Sequence, residues 1–150
     1  MNESDEVTIR SAAPSDISAL LSLAERYCIA DNAEWNHHRA HQAFEPLLQD
    51  ARHGVVLVLE RKDTLFGYAV LTWGWSIEAG GRESLLDEMY VDQPGHGYGS
   101  ALLEAVVETA RQHGAVRVFL ETESANENAR TFWLHRGFEL EDSIWLQRSC

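Results

Sequence analysis

"QPGHGYGSALL", Gln93–Leu103, is the stretch that decides how this chain folds. Three glycines at alternate positions, Gly95, Gly97 and Gly99, follow an apolar run and lead straight into a helical pattern. A strand, then glycines, then a helix N-terminus presents unpaired backbone N–H groups to an anion. Glycine adopts positive φ there and lets a phosphate approach with no Cβ in the way. A P-loop would need GxxxxGK followed by Ser or Thr, and no lysine follows these glycines. A Rossmann fingerprint needs GxGxxG early in a parallel βαβ unit, whereas this is GxGxG behind an antiparallel pattern. No Lys or Arg lies between Arg82 and Arg111, so backbone amides and the helix dipole are expected to hold the anion, with His96 assisting.

Upstream of the loop, "LLDEMYV" (Leu85–Val91) reads as a strand, the third of a meander. The other two are "GVVLVLE" (Gly54–Glu60) and "LFGYAVLTWGW" (Leu65–Trp75), joined by a hairpin turn at "RKDT". Downstream, Leu102, Leu103, Val106, Val107 and Ala110 repeat at helical spacing from Ser100 until Gly114 stops the helix. "VRVFLET" (Val116–Thr122) then predicts a strand, Asn126–Gly137 a helix, and "IWLQR" (Ile144–Arg148) a terminal strand. At the other end Val7–Arg10 predicts a short strand, and Ser11–Cys28 a helix started by Pro14, Ser15 and Asp16. Ile29–His38 reads as a loop, and Arg39–Asp50 as a second helix interrupted by Pro46.

A chain of 150 residues, 45% hydrophobic and 24% charged, is expected to form one folded domain over residues 1–150. Its net charge of −12 disfavours nucleic acid as a partner and suits a cationic one. The acidic opening "MNESDEVTIR" and the lack of a long apolar run give the expectation of a cytoplasmic protein with no membrane partner. Cys28 and Cys150 form no CxxC or metal pattern, which fits a reducing compartment. His37 and His41 stand at i, i+4 without an HExxH glutamate, so no metal is expected. A homodimer is compatible with the sequence.

"YVDQPGHGYGSALLEAVVETA" (Tyr90–Ala110) resembles motif A of the GNAT superfamily of acyl-CoA-dependent N-acyltransferases, whose Gln/Arg-x-x-Gly-x-Gly/Ala loop cradles the coenzyme A pyrophosphate. Gly97 and Gly99 match its two small positions. "ETESANENARTFWLHRGFE" resembles motif B, with Asn126, Ala129, Phe132, Gly137 and Phe138 on its pattern, and the order of elements agrees over nearly the whole chain. The resemblance implies an α/β (α+β) GNAT-like single domain, a mostly antiparallel twisted mixed sheet flanked by helices. It implies acetyl-CoA as co-substrate and a small-molecule amine as acceptor, with direct attack in a ternary complex. It implies coenzyme contacts from Met89, Tyr90, Val91, Gln93, Gly95, His96, Gly97, Tyr98, Gly99 and Ser100, and from Asn126, Ala129, Phe132 and Trp133. Two departures stand out. Pro94 occupies the Gln/Arg position of motif A, and Trp133 replaces the motif B tyrosine that in many relatives protonates the departing thiolate.

Acyl transfer from a thioester needs a neutral amine, and a free amine with a pKa of about 10 is almost wholly protonated at pH 7. A carboxylate is the natural proton acceptor, and Asp87 and Glu88 lie on the strand that runs into the glycine loop. In an ideal strand they face opposite sides, so only one is expected in a given cleft, unless the bulge that GNAT relatives carry in this strand re-aims them. Glu88 is preferred for its reach, with Asp87 as the second choice. Trp133 has no transferable proton, which leaves Tyr90 as the fallback acid. Trp35, Trp73 and Trp75 are read either as acceptor-pocket walls or as core.

Overall fold

The computed structural model describes residues 6–150; Met1–Asp5, which open the acidic N-terminal stretch, lie outside the described residues. The chain divides into two compact units, one ending at Leu120 and the other running from Glu121 to Cys150.

The first unit is built on a sheet in the order β1-β2-β3-β4-β5. Its strands are β1 (Thr8–Ser11), β2 (Gly54–Arg61), β3 (Thr64–Ser76), β4 (Gly81–Val91) and β5 (Val118–Phe119). The first four pair antiparallel, and β5 joins β4 in parallel. Helices α1 (Ile17–Ala30) and α2 (His37–Gln49) precede β2, and α3 (Tyr98–Gln112) follows the glycine loop.

β2 and β3 carry unbroken buried runs rather than an alternation, because both faces of the sheet are covered. On one face Val56, Val58, Tyr68 and Val70 pack with Leu20, Leu23 and Ala24 of α1 and Phe44 and Leu48 of α2. On the other, α3 lies against β2, β3 and β4 and buries Leu102, Leu103, Val106 and Ala110. Those four follow the spacing i, i+1, i+4, i+8, the apolar stripe that an amphipathic helix turns to a sheet. Arg10 fastens the N-terminal edge, donating to Asp16 at 2.8 and 3.0 Å and to Glu60 at 2.9 and 3.0 Å. That clasp holds the Asp16 carboxyl below its ordinary pKa.

Several elements differ from the sequence expectation. The loop before α2 contracts to residues 31–36 because α1 runs on to Ala30 and the Asn36 side chain caps α2, accepting from the Arg39 amide at 2.9 Å. α2 passes through Pro46 unbroken: the proline is exposed, so the carbonyl it leaves unpaired faces water, while Phe44 and Leu48 anchor the helix on either side. The strand expected over Val116–Thr122 shrinks to two residues, paired with Ser84 and Leu85. The strand expected at Ile144–Arg148 does not form. Its Ile144, Trp145 and Leu146 are 88%, 67% and 86% exposed, and alternation alone makes no strand without a ladder to join.

The second unit holds α4 (Glu127–Leu134), capped by Asn126, whose side-chain oxygen accepts from the Ala129 amide at 3.1 Å. Trp133 packs edge-on between Phe132 and Phe138, with ring centroids 4.9 and 5.5 Å away.

Candidate active site

β3 and β4 are in register from Ser76↔Gly81 to Leu71↔Leu86, and then the pairing slips so that Val70 faces Glu88. Asp87 is the extra residue of this bulge. A bulge bends its strand and re-aims the side chains beside it. This is the exception that the resemblance allowed for, and Asp87 and Glu88 both line a single cavity of about 240 Å3.

The remaining walls come from α1 (Ala24 and Cys28), the loop before α2 (Glu34, Trp35 and Asn36) and one face of α2, from Arg39 to Leu47. Trp35, Phe44, Leu47 and Val70 make the cavity apolar around its acids. Of the other two tryptophans considered, Trp73 is stacked on His113 and donates to the Ala51 carbonyl at 2.8 Å, and Trp75 is 72% exposed. His37 and His41 belong to no metal-binding group among the described residues.

Burial raises the Glu88 pKa first, the neighbouring Asp87 charge raises it further, and a hydrogen bond from Tyr68 opposes both. Desolvation also raises Asp87, which is exposed by area yet stands in a concave mouth where protein displaces part of its hydration. Cys28 is pushed up by burial and by the nearby carboxylates, so its thiol stays protonated. Tyr90 points back toward the core, donating to Asp92 at 3.0 Å. Asp92 is held in turn by Arg26, so a proton-donating Tyr90 would have to give up that bond.

Beyond Val91 the chain enters the glycine loop. Gly95 and Gly97 adopt φ of 89° and 77°, and Gly97 is the N-cap of α3. Among the described residues, chain neighbours aside, a Cβ built on either would meet nothing within 4 Å. The loop is therefore open on the side where the first amides of α3 lack helical acceptors. On the edge away from β3, β4 pairs β5 only at Ser84 and Leu85. From Leu86 to Val91 that edge, including Met89, has no strand partner among the described residues, so its peptide groups are available to an extended ligand. These features fit a coenzyme with a pyrophosphate and an amide-bearing arm.

No Lys or Arg lies between Arg82 and Arg111 in the sequence, but β2 brings a guanidinium to this loop. The β2–β3 hairpin turns on two residues, Lys62 and Asp63, at φ 51° and 56°, and so returns Arg61 to the end of β4. Arg61 donates to Gln93 Oε1 at 3.1 Å and to the Tyr98 hydroxyl at 3.5 Å. His96 lies 5.6 Å from the Tyr98 ring, on the same loop. Asn126, Ala129, Phe132 and Trp133 belong to the second unit, where Asn126 caps α4 and the two aromatic rings pack together.

A profile of the acetyltransferase (GNAT) family matches residues 18–138. The chain belongs to this family. An uncharacterised N-acetyltransferase of Mycobacterium tuberculosis is 31% identical over 99 residues, covering 65% of this chain. The chain spans 60% of the length of that relative. The L-methionine sulfoximine/L-methionine sulfone acetyltransferase of Pseudomonas paraeruginosa is 30% identical over 142 residues, covering 89% of this chain and 80% of the enzyme. Among solved structures, an aminoglycoside N-acetyltransferase in complex with CoA superposes with a TM-score of 0.84, covering 100% of this chain and 99% of that one. At 15% identity that likeness is one of fold. GNAT membership agrees with the sequence reading of motif A and motif B, and the mixed five-stranded sheet agrees with the fold it implied.

The reach of Arg61 carries a measurable consequence. Arg61→Ala is expected to weaken acetyl-CoA binding about tenfold, the loss of one charge-assisted contact, while kcat changes little. Titration calorimetry with equal affinity for both proteins would remove Arg61 from the phosphate site.

Proposed function

We propose that this protein is an acetyl-CoA-dependent N-acetyltransferase that transfers an acetyl group to a primary amine on a small cationic molecule. The observation that carries the reading is the bulge at Asp87, which turns two carboxylates into one cavity on the strand that feeds the glycine loop. GNAT membership and the CoA-bound fold relative support the choice of co-substrate.

Acetyl-CoA would supply the activated acyl group as a thioester. Amides of Gly95, His96, Gly97, Tyr98, Gly99 and Ser100, with Gln93 and Arg61 beside them, would hold its pyrophosphate. The free edge of β4 through Met89, Tyr90 and Val91 would hold its arm. Asn126, Ala129, Phe132 and Trp133 carry the motif B contacts in this reading. The acceptor enters as an ammonium ion, and Glu88 takes its proton, with Asp87 as the second carboxylate. Nitrogen then attacks the thioester carbonyl directly; as the tetrahedral intermediate collapses the C–S bond breaks, the nitrogen gives its second proton to water, and the thiolate, a good leaving group with a pKa of about 8.5, takes a proton from water or Tyr90. The two unpaired cysteines suit a cytoplasmic site of action.

Glu34, Asp87 and Glu88 face the cavity against the single guanidinium of Arg39, which favours a cationic acceptor. Apparent KM for the amine is therefore expected to rise roughly threefold as ionic strength goes from about 0.01 to about 0.15 M, where screening shortens from about 30 to about 8 Å. Turnover should change less. A preference for neutral or anionic acceptors, with no salt effect, would defeat this part of the reading.

The deciding experiment incubates the protein with acetyl-CoA and a panel of amines and measures free thiol. Release that depends on one class of amine is the expected result. Coenzyme binding without thiol release from any amine would favour the second reading, a non-catalytic acyl-CoA-binding or sensing module. Trp133 is the observation behind that alternative, because an indole has no transferable proton to offer the thiolate.

A further inference from the structure

Tyr68 is the largest fully buried side chain in the chain's described core, at 0% exposure, and its hydroxyl is spent on a single partner. It donates to Glu88 Oε2 at 2.7 Å. The register explains the contact: Tyr68 faces Tyr90 and Val70 faces Glu88, so Tyr68 and Glu88 are diagonal neighbours on one face of the β3–β4 pair. Phe44 of α2 lies edge-on to the Tyr68 ring at 6.1 Å, and Tyr90 packs on it at 6.4 Å, which fixes the ring in place. Glu88 Oε1 has no hydrogen-bond partner among the described residues.

We propose that Tyr68 is the positioning residue for the proton acceptor, holding Oε2 of Glu88 so that Oε1 stays charged and available to the acceptor amine in the cavity. The proposal rests on the reading of Glu88 as the base. Tyr68 does not line the cavity and touches neither substrate, so it acts only through Glu88. An O–H that donates to a carboxylate stabilises the charged form, and this is what a base needs where burial favours the neutral acid. Tyr68 keeps its own proton throughout, since burial and the adjacent carboxylate both raise its pKa.

The groups around Glu88 leave this effect readable. Asp87 and Tyr90 flank it on β4, and α1 supplies Tyr27 and Cys28. Asp31 lies at the end of α1, and Glu34 and Arg39 face the cavity from the next loop and from α2. Tyr27, at a pKa of about 12, and Cys28, which is raised, stay neutral at pH 7. His37, the first residue of α2, stands edge-on to Trp35 at 6.2 Å.

The test is Tyr68→Phe, which keeps the ring and its packing and removes one hydroxyl. The acid limb of the kcat/KM profile is expected to move up by about one pH unit, a tenfold loss on that limb that is recovered at the alkaline plateau. A carbon-13 titration of the Glu88 carboxyl in the free protein should show the same upward shift without any turnover. In a Glu88→Gln background, Tyr68→Phe should add nothing further. A uniform loss at every pH with the limb and the carboxyl titration unmoved would make Tyr68 structural and overturn the proposal. A nearly normal Glu88→Gln enzyme would overturn the base reading and this proposal with it. A dead Glu88→Gln enzyme with an unmoved limb in Tyr68→Phe would overturn this proposal alone.

Discussion

Glu88→Gln is expected to lower turnover with acetyl-CoA and a primary amine by about 10²–10⁴-fold, the range for loss of a general base. Coenzyme affinity should be unchanged, because Glu88 lines the cavity bounded by α1 and α2, and no glycine-loop residue is among its walls. The variant should also fold, since a glutamine amide oxygen can still accept from Tyr68 at the place where the carboxylate accepts at 2.7 Å. The pH dependence has a definite sign. Burial and Asp87 raise the carboxyl's pKa above its ordinary value, so the wild-type base is ionised above that raised pKa. The kcat/KM of the wild type then falls as pH drops through it, whereas the small residual rate of Glu88→Gln lacks that limb. Stopped assays across pH 5 to 9 check both statements. A nearly normal Glu88→Gln rate beside an inactive Asp87→Asn would transfer the role to Asp87, which shares the cavity.

That either acid can be considered follows from a feature only partly legible in the sequence. Alternation alone sends Asp87 and Glu88 to opposite faces, and the slip between Val70 and Leu71 is a property of two strands together. A bulge costs one ladder position and is set by what packs on each face, so no run of residues in β4 announces it. Tyr68 and Arg61 escaped the sequence reading for the same reason. Each acts on a residue 20 or more positions away, Tyr68 on Glu88 and Arg61 on Gln93, through the β-register. The signal for Arg61 was nevertheless present, since Lys62-Asp63 between two apolar strands marks a tight hairpin and so fixes which residue returns to the loop.

What was legible is what local chemistry dictates. The stripe of Leu102, Leu103, Val106 and Ala110 makes α3, and each of these residues is buried. The failures lie where a segment needs a partner the sequence does not name. Ile144–Arg148 has the composition of a strand but joins no ladder, and Pro46 should break a helix but sits on its wet side between two core anchors.

Gly97→Val is expected to weaken acetyl-CoA binding by about 100-fold or more while leaving the protein folded. Gly97 adopts φ of 77°, where a β-branched residue is strained by roughly 1–3 kcal/mol, a cost most domains survive. Among the described residues, its chain neighbours aside, nothing lies within 4 Å of a Cβ added at Gly97. The isopropyl group would instead stand in the open space before α3, where the pyrophosphate must come within hydrogen-bond reach of the amides. Losing two charge-assisted N–H contacts of about 1.5 kcal/mol each corresponds to about 100-fold in Kd. Gly80 supplies the control. It has φ of 87° and equally empty surroundings, but it lies in the β3–β4 turn, so Gly80→Val carries comparable strain without touching the loop. Calorimetry should find coenzyme binding lost in the first variant and kept in the second. Equal losses in both would trace the effect to strain, and unchanged affinity in a folded Gly97→Val protein would take the pyrophosphate away from this loop altogether.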